Sequence, residues 1–325
     1  MLTVGLTYDL RSDYLKEGYS EEETAEFDSE ITIESIESTL QKLGYKTERI
    51  GNLKALLRNL SEGKKWDLVF NIAEGLHGIG REAQVPAILD AFKIPYVFSD
   101  PLVLSLTLHK GLTKRVIRDC NIPTADFVIV EKPEDIESVK LEYPLFAKPV
   151  AEGTGKGIDS KSKVYNYNEL KEVCIDLLKR FNQPVLVETY LPGREFTVGV
   201  VGTGMEARVV GVMEIVITEK AKESTYSYHT KENWRGIVEY PMATGDVEKM
   251  CSDVALNAWR AIGCRDGGRI DLKMDSTGVP NFIEVNPLAG INPEHSDLPM
   301  LAGKKGISFD QLIDTIVKSA LKRVN

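Results

Sequence analysis

The chain has 325 residues, 42% hydrophobic and 27% charged, a length and balance that suit two or three globular units rather than one compact layer. Its 40 Lys plus Arg face 49 Asp plus Glu, a formal net charge of −9, so it lacks the cationic surplus with which nucleic-acid binders displace counterions. No apolar run approaches the ~18 residues of a membrane span, although a local basic cleft for a small anion remains open.

No charged-then-apolar leader opens the chain. The four cysteines, Cys120, Cys174, Cys251 and Cys264, show no CxxC spacing and read as reduced structural thiols of a cytoplasmic protein. The first hundred residues alternate strand and helix signals: a strand over Leu2–Leu6, a helix over Glu30–Leu43 with Ile33, Ile36 and Leu40 on one face, a strand over Lys46–Ile50 and a helix over Leu53–Leu60. A strand at Leu68–Ile72, a helix at Gln84–Phe92 and a strand at Ile94–Val97 follow. Such alternation predicts a parallel sheet with helices on both faces. The acidic stretch Asp13–Glu30 reads as a solvated surface segment. Beyond Ser105 the expected elements are a helix through Thr113–Cys120, strands at Asp126–Val130 and Leu145–Val150, a Gly-rich loop, a helix at Leu170–Phe181 and a strand at Val185–Tyr190. The remainder holds a helix at Val247–Ile262, two strands within 268–286 and a closing helix at Phe309–Arg323, giving units of 1–104, 105–190 and 191–325.

The most informative stretch is Gly268-Arg269-Ile270-Asp271-Leu272-Lys273-Met274-Asp275, followed by Asn281-Phe282-Ile283-Glu284-Val285-Asn286. Alternation puts Arg269 and Asp271 on one strand face, and Glu284 and Asn286 on one face of the next. Pairing about a turn at Thr277-Gly278 sets Asp271 opposite Glu284 and Arg269 opposite Asn286. Facing carboxylates repel, and oxygen donors from Asp, Glu and Asn suit Mg²⁺; the alternative is a strand edge whose charges face water. A second stretch, Phe146-Ala147-Lys148-Pro149-Val150-Ala151-Glu152-Gly153-Thr154-Gly155-Lys156-Gly157, runs a lysine-bearing strand into a glycine-rich loop that permits close approach to a phosphate, although it is not a P-loop pattern. A third, Val185 to Val198, carries Glu188 and Glu195 about a short strand connection.

Together these stretches resemble the D-alanine–D-alanine ligases of the ATP-grasp superfamily, in the same order, over about residues 65–325. The resemblance implies a three-domain ATP-grasp fold whose N-terminal domain is Rossmann-like, with ATP held between the central and C-terminal domains. It implies that Lys110 and Lys148 bind phosphate beneath a loop of Glu152, Gly153, Thr154 and Gly155. Glu188 and Leu191 match the adenine-side hinge, and Glu195 the ribose-binding glutamate. Asp271, Glu284 and Asn286 match the magnesium ligands, for two Mg²⁺ ions that Mn²⁺ can replace. Arg269 matches the arginine that stabilises the reacting phosphate, and Gly290 the oxyanion-side glycine. Ser296 resembles the serine that holds the second substrate's carboxylate, and Tyr228 and Lys231 belong to the loop that closes the site. The resemblance implies a cytoplasmic ligase of amino-acid substrates in peptidoglycan biosynthesis, with the homodimer usual for the family.

The departures fall on the amino-acid side. The family's N-terminal Gly-rich segment and its substrate-recognising glutamate are replaced by Thr7-Tyr8-Asp9-Leu10-Arg11 and the acidic insertion. Its His-Gly becomes Ala73-Glu74-Gly75-Leu76-His77-Gly78, and its Gly-Glu-Asp-Gly becomes Gly80-Arg81-Glu82-Ala83. Glu74 and Arg81 are therefore expected to hold the first substrate's amine and carboxylate; the alternative is that Arg81 caps a helix or pairs with Glu82. A different dipeptide or modified peptide stays open as the product, as does an inactive nucleotide-binding regulator.

Overall fold

The computed structural model describes residues 1–217 and 238–324. Strands β1 (Thr3–Tyr8), β2 (Lys46–Gly51) and β3 (Leu68–Ile72) form a parallel sheet in the order β2-β1-β3. Every residue of β3 is buried, as expected of a strand covered on both faces. Leu68 and Phe70 enter one core with Ile36 and Leu40 of α2 (Glu30–Lys42), whereas Val69 enters another with Leu56 of α3 (Leu53–Ser61) and Leu89 of α4 (Gln84–Ala91). The expected strand Ile94–Val97 does not extend this sheet as a strand. Pro95 has no N–H to donate, and what survives is an isolated bridge from Val69 to Tyr96.

The acidic segment departs from the solvated reading. It opens with a short helix, α1 (Arg11–Lys16), and Glu21, Glu22 and Glu23 are exposed. Thr24 and Phe27 are buried, Phe27 against the Tyr14 ring at 4.5 Å, and this turns Glu26 and Asp28 inward. Two buried apolar contacts thus override the local charge pattern.

Two further helices, α5 (Pro101–Leu108) and α6 (Lys110–Asp119), precede an antiparallel sheet of β4 (Phe127–Val130), β5 (Leu145–Pro149), β6 (Lys163–Val164) and β7 (Val185–Thr189), ordered β4-β7-β5-β6. Helix α7 (Tyr167–Phe181) backs it through Leu170 and Cys174. The third sheet contains β8 (Glu195–Val201), β9 (Arg208–Ile217), β10 (Val238–Glu239), β11 (Gly267–Met274) and β12 (Pro280–Asn286), ordered β10-β9-β8-β11-β12. Trp259 of α8 (Gly245–Ile262) anchors the core beneath it, and its indole N–H donates to the Gly202 carbonyl at 3.1 Å. Val103 and Ile117 join that core. Helices α9 (Asp297–Lys304) and α10 (Phe309–Leu321) then bring Leu298, Ile313 and Ile316 into one core with Leu6 and Ile36, tying the end of the chain to its beginning. All four cysteines are free thiols, three of them buried, and among the described residues no helix is long and apolar enough to cross a membrane.

Candidate active site

The β11–β12 hairpin places the oxygen donors. Met274 pairs with Pro280 and Lys273 with Asn281, a register that would set Ile283 opposite Asp271. An irregularity after Asp271 adds one residue to β12, and the pairing becomes Asp271 with Glu284 and Arg269 with Asn286. A bulge of this kind re-aims side chains beside a site; here it delivers the pairs that the alternation predicted. Asp271 also accepts from the Thr197 hydroxyl on β8 at 2.8 Å.

Each carboxylate meets a base. Arg269 Nη1 lies 2.7 and 2.5 Å from the two oxygens of Asp271 and 3.4 Å from Asp297. Lys110 Nζ lies 3.4 Å from Glu284 and donates to the Glu152 carbonyl at 2.5 Å. Lys110 begins α6, where His109 accepts from the Leu112 N–H and so caps the helix. The Asn286 amide nitrogen is buried without a hydrogen-bond partner among the described residues, so no hydrogen bond from that nitrogen fixes which way the amide is turned. Two carboxylates and an amide, all hard oxygen donors, fit Mg²⁺ completed by phosphate and water.

Two cavities meet at these residues, sharing Lys110, Glu152, Arg269 and Glu284. The smaller, about 420 Å³, has Phe146, Tyr190, Leu191, Ile215 and Ile217 as apolar walls and Lys148, Glu188, Glu195 and Lys273 as charged groups. Glu188 is clamped between Lys114 at 2.6 Å and Lys148 at 2.9 Å. Glu195 pairs with Lys273 at 2.8 Å, and Lys163 lies 3.8 Å from the Tyr190 ring centre. Between the cavities, the loop from Glu152 to Gly157 turns through left-handed conformations at Thr154, Gly155 and Gly157. Lys156 and Gln183 hold the Glu152 carboxylate at 2.6 and 2.7 Å.

The larger cavity, about 780 Å³, opens toward the N-terminal sheet. Its walls include Asp28, Glu74, Glu82, Thr154, Gly290 and Ser296. Burial pushes Asp28 and Glu82 up to about 7, and burial together with Glu82, Glu26 and Asp28 raises Glu74 well above the carboxylate range. Gly290 has a positional reason: a Cβ there would lie 2.8 Å from the Ser296 hydroxyl. That hydroxyl accepts from the Asn292 N–H at 3.0 Å.

The expected residues thus gather at one junction, with three qualifications. Arg81 is buried against Glu26, at 2.8 Å, and the Ala151 carbonyl, and is not among the cavity walls; its neighbour Glu82 is. Glu188 is occupied by two lysines rather than turned freely toward a base. Tyr228 and Lys231 lie outside the described residues. Sequence reasoning missed Lys114, which stands one turn after Lys110, and Lys273, which shares the Arg269–Asp271 strand face. It also missed Glu26, which accepts from the Gly153 N–H at 2.8 Å across 127 residues of chain. Spacing in the motifs already marked the two lysines, whereas nothing local marked Glu26.

Comparison with known proteins follows the same lines. The family described as D-ala D-ala ligase C-terminus matches residues 116–318. A D-alanine–D-alanine ligase of Actinobacillus pleuropneumoniae serotype 5b is 31% identical over 291 residues, covering 87% of this chain and 90% of that protein. One from Thermotoga petrophila is 32% identical, with 88% and 90% covered. Among solved structures, the D-alanine–D-alanine ligase of Bacillus anthracis complexed with ATP aligns with a TM-score of 0.76 at 22% identity, over 100% of this chain and 99% of that one. The VanG D-Ala:D-Ser ligase of Enterococcus faecalis aligns at 0.75 and 21% identity, over 98% and 99%.

Proposed function

This chain belongs to the D-alanine–D-alanine ligase family of ATP-dependent, ADP-forming ligases, and on that premise we propose that it joins one amino acid's carboxylate to another's amine at the junction of the two cavities. The observation that carries this reading is the bulged hairpin, which sets Asp271 opposite Glu284 and Arg269 opposite Asn286 where the cavities meet.

A carboxylate is a poor electrophile in water, so activation comes first. Its oxygen attacks the γ-phosphorus of ATP, ADP leaves, and the acyl phosphate supplies the leaving group that the acid lacked. The second substrate's amine attacks the acyl carbon, and phosphate departs from the tetrahedral centre. Little of this needs a protein nucleophile; positioning and charge neutralisation do the work. When bound by Asp271, Glu284 and Asn286, magnesium neutralises phosphate charge; we take two ions, with manganese able to substitute. Lys110 and Lys148, both on the walls of the smaller cavity, neutralise phosphate oxygens, and Arg269 is assigned to the transferring group. Leu191 and Glu195, both on the walls of the smaller cavity, are assigned in this reading to the base and the ribose, while Glu188 of the expected hinge acts through its two lysines. Gly290 leaves room for the tetrahedral oxygen, Ser296 orients the second carboxylate, and Tyr228 with Lys231 closes the site. Glu74, assisted by Glu82 and Asp28, receives the first substrate's amine, while Arg81 shapes that wall through Glu26.

The carboxylates of the larger cavity favour a substrate pair other than two D-alanines as a second reading, and one fold relative is itself named a D-Ala:D-Ser ligase. In the first reading the enzyme is cytoplasmic, works as a homodimer and supplies a cell-wall dipeptide. The test is phosphate release with ATP and Mg²⁺ across D- and L-amino acids, singly and in pairs, with products identified by mass. D-alanyl-D-alanine as the best product supports the cell-wall role, and another pair supports the rewritten pocket. Silence across the panel with ATP still bound would overturn the ligase reading in favour of a nucleotide-binding regulator.

A further inference from the structure

The buried charges beside the smaller cavity do not balance. Lys114 Nζ donates to Glu188 Oε2 at 2.6 Å, and Lys148 Nζ lies 2.9 Å from Oε1. The three side chains are 0%, 5% and 6% exposed for Lys114, Glu188 and Lys148. Two ammonium groups share one carboxylate, so this triad by itself carries a net single positive charge where water screens little. Glu284 acts on both lysines, and Glu195 on Lys148, as charges outside the triad. Only one of the lysines reaches the cleft: Lys148 is among its walls and Lys114 is not. Lys114 lies instead behind Glu188 on α6, 5.7 Å from the Phe127 ring centre.

We infer that Lys114 is a positioning residue for the nucleotide: by holding one oxygen of Glu188 it leaves the Lys148 charge available to the phosphates of ATP. The inference rests on the nucleotide-site reading above. With Lys148 alone, Glu188 would form a neutral pair, and an incoming phosphate would have to compete with a desolvated carboxylate for the same ammonium. With Lys114 present the carboxylate is already neutralised from behind, and the cluster presents a net single positive charge to the cleft. Burial would raise the Glu188 carboxyl, but Lys114 and Lys148 outweigh it and hold it at about 2. Burial lowers Lys114 despite Glu188, whereas for Lys148 the pull of Glu188 and Glu284 outweighs burial and leaves it above the ordinary lysine range.

The experiment measures Mg·ATP and adenosine binding calorimetrically on the full chain, with thermal melts of each variant. Lys114→Met is expected to weaken ATP binding about tenfold or more and to leave adenosine binding within about twofold. Adding Glu188→Gln to Lys114→Met restores the net positive charge and is expected to recover several-fold of the lost ATP affinity. A purely structural role predicts the opposite, with the double variant worse than the single. Unchanged ATP binding in Lys114→Met, an equal loss for adenosine, or no recovery in the double variant would each overturn the inference. Should Lys114→Met not fold, the double variant decides alone: ATP affinity within about threefold of the parent supports the idea, and a larger loss overturns it. If the parent binds no ATP, the nucleotide-site reading itself fails, and the inference with it.

Discussion

The two cavities are built on opposite electrostatic plans. In the smaller, the charged walls carry partners: Glu188 with Lys148 on the neighbouring strand and Lys114 on α6, Glu195 with Lys273 across strands, and Asp271 with Arg269 two residues away on β11. In the larger, Asp28, Glu74 and Glu82 crowd together, and burial makes all three weaker acids than free carboxyl groups. On the proposed assignment of the nucleotide to the smaller cavity and the amino acids to the larger, the phosphates are the same in every turnover, so the groups meeting them can be fixed by ladder register and paired in advance. An amino-acid pocket has to take up a cation, and carboxylates left partly protonated at neutral pH can ionise when an amine arrives. The difference teaches which half is pre-formed and which half is completed by its ligand.

The sharpest way to break that contrast is to remove the shared carboxylate of the paired half. Glu188→Ala leaves Lys114 and Lys148 buried without their counter-charge. Removing one partner from a buried ion pair costs about 3–5 kcal/mol, so chemical denaturation should show a loss of that order. A loss below about 1 kcal/mol would mean that water reaches these groups and the pairing is not the stabilising element described. Next in size is Arg269→Ala. Removing one transition-state charge contact costs about 2.7–4 kcal/mol, and turnover should fall ~10²-fold or more while nucleotide affinity changes less. Near-normal turnover would remove Arg269 from the chemistry.

These residues also mark how far the sequence could be read. Strict alternation over Arg269–Asp275 made one strand face legible, and symmetric pairing named the right opposites, although the observed register reaches them only through the added residue in β12. The all-apolar run of β3 and the periodic helix α2 were equally plain. Helix α5 was not, because Leu, Val and Thr surround it on all sides with no polar stripe; its start is fixed by Asp100, whose side chain accepts from the Val103 N–H. The strand expected at Ile94–Val97 failed at Pro95, a single missing donor that alternation does not weigh. In the site, motif spacing found the groups that ladder register positions. It missed the inward turn at Glu26 and Asp28, since that depends on Thr24 and Phe27 finding burial, which no local pattern announces.

The mildest test separates the two plans by pH. Burial is the main cause that lifts Asp28 to about 7, reinforced by Asp9 and opposed by a hydrogen bond from Thr32. The unfolded chain ionises this group near its ordinary value of 3.8, so between about pH 4 and pH 7 the folded state holds the extra proton. Stability from this group is therefore present at the acid end of that window and is lost as pH rises through it. The unfolding free energy of the parent, from chemical denaturation, should fall from pH 5 to pH 8 by more than that of Asp28→Asn, a difference on the order of 1–3 kcal/mol. Parallel curves would show that Asp28 is already ionised and that the larger cavity is as fully paired as the smaller. The same variant sharpens the functional side of the contrast. An amine bound beside Asp28 ionises it and expels the proton, so Asp28→Asn should raise KM for the amino acid and leave KM for ATP unchanged. An equal rise in both would place Asp28 in the support of the loop between the cavities rather than in the recognition of an amine.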